Sequence, residues 1–291
     1  MSIFLIIAIF VPFMFGFMNV FDKYIISHRI KNLIGYTAVT GIANVSLGIL
    51  LASFLGWRGV SLMNLIFPIL AGVFAGMGYY FYFFIMNKSD ASHVVGFAYL
   101  FPIVVALLSY FFLEERLSAL SYLAVGLIML GAILLSIRIK KIKSGAIFLP
   151  IFIYILFMGA YEFFIKISTF NVSFMQGLSV TIIATGATVL IGLLDRDTRA
   201  GFVKEFKNIK WAFIAEGFTV LAVFALYFAM SGMPATVVSS IAAIQPLTVI
   251  LFERIAQKYV GKMTRDIKVL PKLGAILLIV AGVLLLSYLN S

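Results

Sequence analysis

Stretches of about twenty apolar residues recur from one end of this sequence to the other, and they constrain its fold more than any other feature. An α-helix of that length spans the hydrocarbon core of a bilayer, because its backbone hydrogen bonds are satisfied within the helix where no water is available. Hydrophobic residues make up 63% of the chain and charged residues only 11%, which is more apolar than a water-soluble core requires. The sequence therefore predicts an all-α integral membrane protein.

The apolar runs and the breakers between them predict ten membrane spans. The spans lie near residues 3–21, 33–55, 62–86, 91–113, 118–137, 146–168, 172–194, 209–231, 234–252 and 270–289. The run that begins at Ile3 has no basic segment before it and no small-residue cleavage site after it, so we interpret it as a permanent span rather than a cleaved signal. A basic connection at residues 138–143 leaves five spans on each side.

The two halves, residues 1–140 and 145–291, share a pattern that predicts an internal repeat. GFMNVFDK, which begins at Gly16, aligns with GAYEFFIK, which begins at Gly159, and the two segments share their Gly, one Phe and their Lys. Residues 84–102 align without gaps with residues 228–246. Because five is an odd number, the second copy must enter the membrane from the opposite side. We therefore predict two inverted five-helix repeats, a plan common among secondary transporters that bind substrate near the membrane midplane.

These motifs resemble those of the EamA branch of the drug/metabolite transporter superfamily. The matching features are the Gly-x-x-[Asn/Glu]-x-x-x-Lys motif in spans one and six, the mid-span prolines Pro102 and Pro246, FLEER ending at Arg116, and Gly274 and Gly282 in span ten. The resemblance covers essentially the whole chain and implies two EamA-like repeats that import or export amino acids, nucleobases, sugars or similar compounds. Span nine departs from the pattern, because Lys258 aligns with Glu114 and the acidic end of span four is not repeated.

Basic residues are distributed unevenly among the predicted connections. Of the 22 Lys and Arg residues, only Arg58, Arg116 and Lys166 fall in even-numbered connections. The positive-inside rule then predicts that the odd-numbered connections are cytoplasmic and that both termini are external. The family resemblance instead implies termini on the cytoplasmic side. Both interpretations give a multi-pass protein of the cell membrane.

Charged groups inside the spans are the first candidates for a functional site. A charge at the bilayer centre costs about 2.5–3.5 kcal/mol, so it is normally paired, buried in the bundle or turned toward a water-filled cavity. Glu162 and Lys166 lie four residues apart on one face of span six, where they either form an ion pair or line such a cavity. Asn19 and Lys23 are their counterparts in span one. If the halves face each other, the four side chains converge on one polar cavity.

Glu216 in span eight has no acidic counterpart, because Gly72 aligns with it. It either caps the helix near Trp211 or binds a proton or a substrate cation. A carboxyl group that changes protonation between two access states is the simplest way to couple transport to a proton gradient.

Amide and phenol groups supply the remaining candidates. Gln245 precedes Pro246, a mid-span proline that frees a backbone carbonyl and permits a kink, and its amide is placed to contact a ligand. Tyrosines in spans three, four, six and eight either belong to interfacial belts or offer a hydroxyl and an aromatic face to a substrate. They are Tyr79, Tyr80, Tyr82, Tyr99, Tyr161 and Tyr227, of which Tyr99 and Tyr227 are candidate site residues.

Other kinds of chemistry find no support in the sequence. Cysteine is absent, and the two histidines, His28 and His93, lie outside any metal-binding or hydrolase motif, so we expect no enzyme activity, metal or other cofactor. The net charge of +11 lies mainly between apolar runs, where lipid headgroups account for it, so nucleic acid is not an expected partner.

We therefore predict a secondary transporter that moves a small metabolite by alternating access, with proton coupling as one option. Its expected partners are that small-molecule substrate and the lipid bilayer, and the oligomeric state is left open. The alternatives are a flippase for lipids or lipid-linked intermediates and a non-transporting membrane scaffold or receptor.

Overall fold

The computed structural model describes residues 2–88, 100–136, 148–260 and 273–289, which are helical apart from short turns. The α-helices are α1 (Ile3–His28), α2 (Leu33–Ser53), α3 (Ile66–Lys88), α4 (Phe101–Phe112), α5 (Ala119–Ser136), α6 (Phe148–Asn171), α7 (Phe174–Leu190), α8 (Arg196–Glu205), α9 (Ile209–Gly232), α10 (Ala235–Ala242), α11 (Gln245–Val260) and α12 (Leu273–Leu289). Short 3-10 helices occur at Leu62–Leu65, Ile191–Leu194 and Phe206–Asn208. No strand occurs in these residues, so the all-α prediction is confirmed.

Seven helical segments of the described residues are long and apolar enough to cross a membrane. One of them combines α8 with α9, and another combines α10 with α11. Shorter apolar helices are formed by α4, α5 and α12. These ten segments lie at the positions of the ten predicted spans, and they confirm a multi-pass integral membrane protein.

The end of α1 differs from the prediction. The predicted span stopped near residue 21, before Asp22 and Lys23, but the helix continues to His28. Both charged side chains find partners inside the bundle: Tyr82 donates to Asp22, and Lys23 donates to the carbonyl of Met86. A charge that is hydrogen-bonded by a neighbouring helix does not have to end a span.

The amphipathic helix α8 was not predicted, because its residues were assigned to a connection. Asp195 is its N-cap and accepts hydrogen bonds from the backbone N–H of Thr198 at 2.8 Å and from the Thr198 hydroxyl at 2.9 Å. Asp197 lies in the first turn and Lys204 in the last, which complements the helix dipole. Local capping therefore forms a short polar helix where apolar content predicted a loop.

Span nine, predicted as one helix, is interrupted. Helix α10 ends at Ala242 and α11 begins at Gln245. Because Pro246 has no N–H, the carbonyl of Ala242 cannot accept the helical bond from the residue four positions later. The first turn of a helix is a favourable position for proline, and Pro102 occupies the first turn of α4 in the same way.

The packing of helices is reciprocal between the two halves of the chain. Helix α1 packs against α9 and α11, and α6 packs against α3 and α4, which are their counterparts in the other half. Helix α2 packs against α7, and α5 packs against α12. Each half is therefore in contact with the other along most of its helices.

Glycines allow these helices to approach closely. The glycine shared by the two aligned motifs lies against the other half in both cases: Gly16 contacts Thr248 of α11, and Gly159 contacts Val104 of α4. In the α5–α12 pair, a Cβ atom at Gly131 would lie 2.7 Å from the carbonyl oxygen of Ala275.

The α5–α12 contact is itself reciprocal. A Cβ atom at Gly282 of α12 would lie 2.7 Å from the carbonyl oxygen of Ala124 of α5. Because Gly131 meets Ala275 while the earlier residue Ala124 meets the later residue Gly282, the two equivalent helices run antiparallel.

A Gly131→Ala substitution should lower the free energy of unfolding by about 1–3 kcal/mol, because the added methyl group meets backbone that cannot move alone. Thermal unfolding in detergent measures the effect as a decrease in Tm. Gly126→Ala is the matched control on the same helix, since a Cβ atom there meets nothing within 4 Å. Equal Tm values for the two variants would contradict the close packing of α5 on α12.

Candidate functional site: a polar cavity inside the bundle

A cavity of about 100 Å³ lies within the helix bundle and is lined by side chains from both halves. Much of its lining is polar, although the surrounding helices are strongly apolar. The polar lining residues are the carboxyl residues Asp22, Glu162 and Glu216, the amides Asn19, Asn44 and Gln245, the tyrosines Tyr79, Tyr82, Tyr154 and Tyr161, and the threonines Thr181, Thr185 and Thr219. Apolar side chains such as Met18, Met158 and Val223 complete the wall.

The structure brings together four of the residues that the sequence singled out. Asn19, Glu162, Glu216 and Gln245 all line the cavity. Lys23, Lys166 and Tyr227 are not among the lining residues. Tyr99 lies outside the described residues.

Glu216 is held by two helices of the first half. Its Oε2 atom accepts a hydrogen bond from the Tyr79 hydroxyl of α3 at 2.8 Å, and the side chain of Asn44 on α2 lies near the carboxyl group. Glu216 is only 3% exposed and lies beyond the first turn of α9, which begins at Ile209. It therefore faces the cavity rather than the start of the helix.

Asp22 is a cavity residue that was not predicted. The Tyr82 hydroxyl lies 2.9 Å from its Oδ2 atom and 3.0 Å from Oδ1 of Asn19. The signal was present in the sequence, because Asp22 follows Asn19 by three residues and so shares its helix face. It was overlooked because the predicted span stopped one residue earlier.

Glu162 hydrogen-bonds to helix α10, which lies in the same half of the chain. It accepts a hydrogen bond from the hydroxyl of Ser239 on α10, and both residues are buried. The ion pair with Lys166 that the sequence offered as one alternative is not formed. Ser239 and Tyr154 were not predicted, since nothing in their local sequence distinguishes them from packing residues.

The motif lysines bind backbone carbonyls at helix ends. Lys166 donates to the carbonyls of Met230 and Met233 at 2.8 Å each, where α9 ends. Lys23 donates at 2.8 Å to the carbonyl of Met86, near the end of α3. The last carbonyls of a helix lack N–H partners and carry partial negative charge, so an ammonium group is favourable there. Each lysine thus caps the third long helix of its own half.

Glu115 of the FLEER motif plays the complementary role at a helix start. Its carboxyl group accepts hydrogen bonds from the backbone N–H of Ala235 at 2.9 Å and of Thr236 at 3.3 Å. A carboxylate is favourable at a helix N-terminus, here that of α10 in the other half. The motif therefore joins the two halves of the chain.

Tyr227 also has a structural position. Its hydroxyl lies 2.6 Å from the Thr181 hydroxyl of α7 and accepts a hydrogen bond from Ser168 of α6 at 3.2 Å. These bonds connect three helices behind the cavity wall.

Two amide groups that line the cavity have unsatisfied atoms. Gln245 Nε2 and Asn44 Oδ1 have no hydrogen-bond partner within the part of the chain that the structure describes, although the two side chains are 1% and 0% exposed. Buried polar atoms are nearly always hydrogen-bonded in folded proteins. A molecule inside the cavity would supply the missing partners.

The fold and the cavity define a multi-pass helical membrane protein with a polar cavity in its interior. Comparison with known protein families and solved structures narrows the class of membrane protein. Residues 2–137 match the model of the EamA-like transporter family, which confirms the predicted resemblance over the first half of the chain. No curated protein matches the sequence. Among solved structures, 24 chains match this chain. A crystal structure among them superposes on 97% of this chain and 96% of its own, with a TM-score of 0.64. Its sequence identity of 16% means that this likeness concerns the fold alone.

A Lys166→Met substitution should lower the free energy of unfolding by about 1–3 kcal/mol, because it keeps most of the side-chain volume but leaves the carbonyls of Met230 and Met233 without their donor. The decrease in Tm in detergent measures it. Lys204→Met, at an exposed position of α8, is the control and should lower Tm much less, because it loses only a solvent-exposed helix-dipole interaction. A Lys166 variant as stable as the control would show that the ammonium group does not cap α9.

Proposed function

We propose that the protein is a secondary transporter that moves a small metabolite across the membrane by alternating access at this cavity. The observation that carries the proposal is the group of three carboxyl residues that line one cavity inside an apolar bundle, of which Glu162 and Glu216 are buried. Ionisable groups at membrane depth are costly, and in membrane proteins they mark substrate or proton pathways. The EamA-like match over residues 2–137 supports the same class of function.

The proposed architecture is a pair of inverted five-helix repeats, residues 1–140 and 145–291. Its support is the reciprocal packing of equivalent helices, the antiparallel course of α5 and α12, and the equivalent bonds of Lys23 and Lys166 to Met86 and Met230. In such a plan the two halves rock or gate around a central site. The interruption between α10 and α11 places a flexible point of the backbone at the cavity, where Ala242 and Gln245 both line the wall.

The size of the cavity favours a small solute. An apolar cavity of about 150 Å³ admits benzene, so a cavity of about 100 Å³ requires helix movement before a larger metabolite enters. A lipid flippase needs a path for acyl chains, and this cavity is too small to provide one. The metabolite hypothesis is therefore the better supported of the two.

Proton coupling is proposed to occur at Glu216. This carboxyl group faces Tyr79 of α3 and Asn44 of α2, and Asp22 of α1 lies near enough to interact with it electrostatically. Two carboxyl groups that line one cavity with no Lys, Arg or His among its described lining residues favour the uptake of a proton or a cation there. Exchange of that proton during the change of access would couple flux to the pH gradient.

Proteoliposomes with an imposed pH gradient and a panel of amino acids, nucleosides, sugars and amines test this proposal. We expect saturable flux of at least one solute that increases with the gradient. Glu216→Gln should remove the dependence on the gradient, and Glu162→Gln should lower flux by about tenfold or more, which corresponds to a loss of about 1.4 kcal/mol.

Asp197→Asn is the matched control, because it neutralises an exposed carboxyl group of α8 outside the cavity. Flux and gradient dependence that survive in both cavity variants would exclude these residues from the site. Movement of fluorescent lipid with no metabolite flux would identify a flippase, and no flux of either kind would leave the scaffold alternative.

A further inference from the structure

We infer that the cavity takes a small organic cation, an ammonium group with a compact apolar body, in preference to a neutral or anionic metabolite. This inference names the substrate class of the proposed transporter, and as a statement about transport it rests on that proposed function. Binding of a cation to the cavity can nevertheless be measured without any assumption about flux.

The cavity lining contains acidic side chains and no basic ones among the described residues. Among the described lining residues there are three carboxyl groups and no Lys, Arg or His. The hydrogen-bond partners of these carboxyl groups are neutral: Tyr82 for Asp22, Ser239 for Glu162, and Tyr79 for Glu216. Within the described residues none of the three carboxyl groups forms an ion pair. A buried carboxylate is stable only with a compensating positive charge, so that charge has to come from a proton or a ligand.

The nearest motif cations are already used elsewhere. Lys166 donates to two carbonyls at the end of α9, and Lys23 to one near the end of α3. Both ammonium groups therefore stabilise helix ends, and neither lysine lines the cavity. The carboxyl groups remain available to an incoming cation.

The interrupted helix adds a second source of negative potential. Ala242, the last residue of α10, lines the cavity, and its carbonyl has no helical donor because Pro246 lacks an N–H. Carbonyl ends of half-helices carry partial negative charge and coordinate cations in transporters with discontinuous helices. The carbonyl group of Ala242 therefore adds to the negative potential that the carboxyl groups create in the cavity.

Aromatic faces favour the same ligand. Four tyrosines and two phenylalanines line the cavity, and the rings of Tyr82 and Tyr154, one from each half, lie 6.3 Å apart between centroids. An ammonium group is attracted to the face of an aromatic ring, and more strongly so when water is excluded. Asn44 Oδ1, buried and unpartnered among the described residues, can accept a hydrogen bond from an ammonium N–H. A cation with an apolar body suits the carboxyl groups, the aromatic rings and Asn44 Oδ1 at once.

A charge series of equal shape tests the inference on the wild-type protein. Purified protein in detergent is heated at one fixed pH with tert-butylammonium, tert-butanol or pivalate, which differ mainly in charge. We expect tert-butylammonium to raise Tm in a saturable manner and the other two to have no effect. Sodium chloride at equal ionic strength controls for screening, and an equal Tm rise with sodium alone would overturn the organic-cation assignment.

Variants then locate the binding site. Asp22→Asn and Glu216→Gln should each weaken binding of tert-butylammonium about tenfold or more, which corresponds to about 1.4 kcal/mol. Asp197→Asn on α8 should bind as the wild type does. Since the charge series needs only the wild-type chain, it decides the question even if a cavity variant does not fold. Unchanged binding in both cavity variants would place the cation elsewhere and overturn the inference.

Flux of tetramethylammonium in proteoliposomes separates this inference from the proposed function, because this permanent cation does not cross a bilayer unaided. Saturable tetramethylammonium flux supports both. Cation binding with no flux of tetramethylammonium or of any metabolite in the panel contradicts the transporter proposal but not the cation site. Flux of a neutral or anionic metabolite that cations do not inhibit supports transport and overturns the cation inference.

Discussion

The absence of water from the hydrocarbon core governs this structure, because every backbone and side-chain polar group there needs a partner from the protein. Within a helix the backbone groups hydrogen-bond to one another, so the groups that need other partners lie at helix ends and interruptions. Lys23 and Lys166 supply donors near the ends of α3 and α9, and Glu115 supplies an acceptor at the start of α10. The lysine that recurs in the two aligned motifs and Glu115 of the FLEER motif both supply such partners.

The cavity follows a different rule, since its polar groups differ between the halves. Asn19 in one half corresponds to Glu162 in the other, and Gly72 corresponds to Glu216. Glycine packing and lysine caps are shared by both halves, whereas the carboxyl groups are not. The shared residues therefore belong to the architecture, and the unshared ones concentrate negative charge in the interior.

Much of the fold and four of the cavity's polar residues could be predicted from the sequence. Span positions followed from apolar length, and Asn19, Glu162, Glu216 and Gln245 stood out as polar residues in apolar surroundings. Asp22 was missed because a charged pair was interpreted as the end of a span, and α8 because capping is a local signal that apolar content does not contain. Ser239 was missed because a serine in a membrane helix has no distinctive pattern until its partner is known.

The sequence by itself determined the helical class, the positions of the spans and the duplicated motif, because each depends on interactions within one segment or on identities between two. Only the tertiary structure decided which polar side chains share one cavity. The hydroxyl of Tyr79 and the carboxyl group of Glu216 meet only after α3 and α9 have packed together, and the lysines turn from the cavity only because helix ends lie within their reach. Those partners are far apart in the chain, and their proximity is a property of helix packing rather than of local sequence.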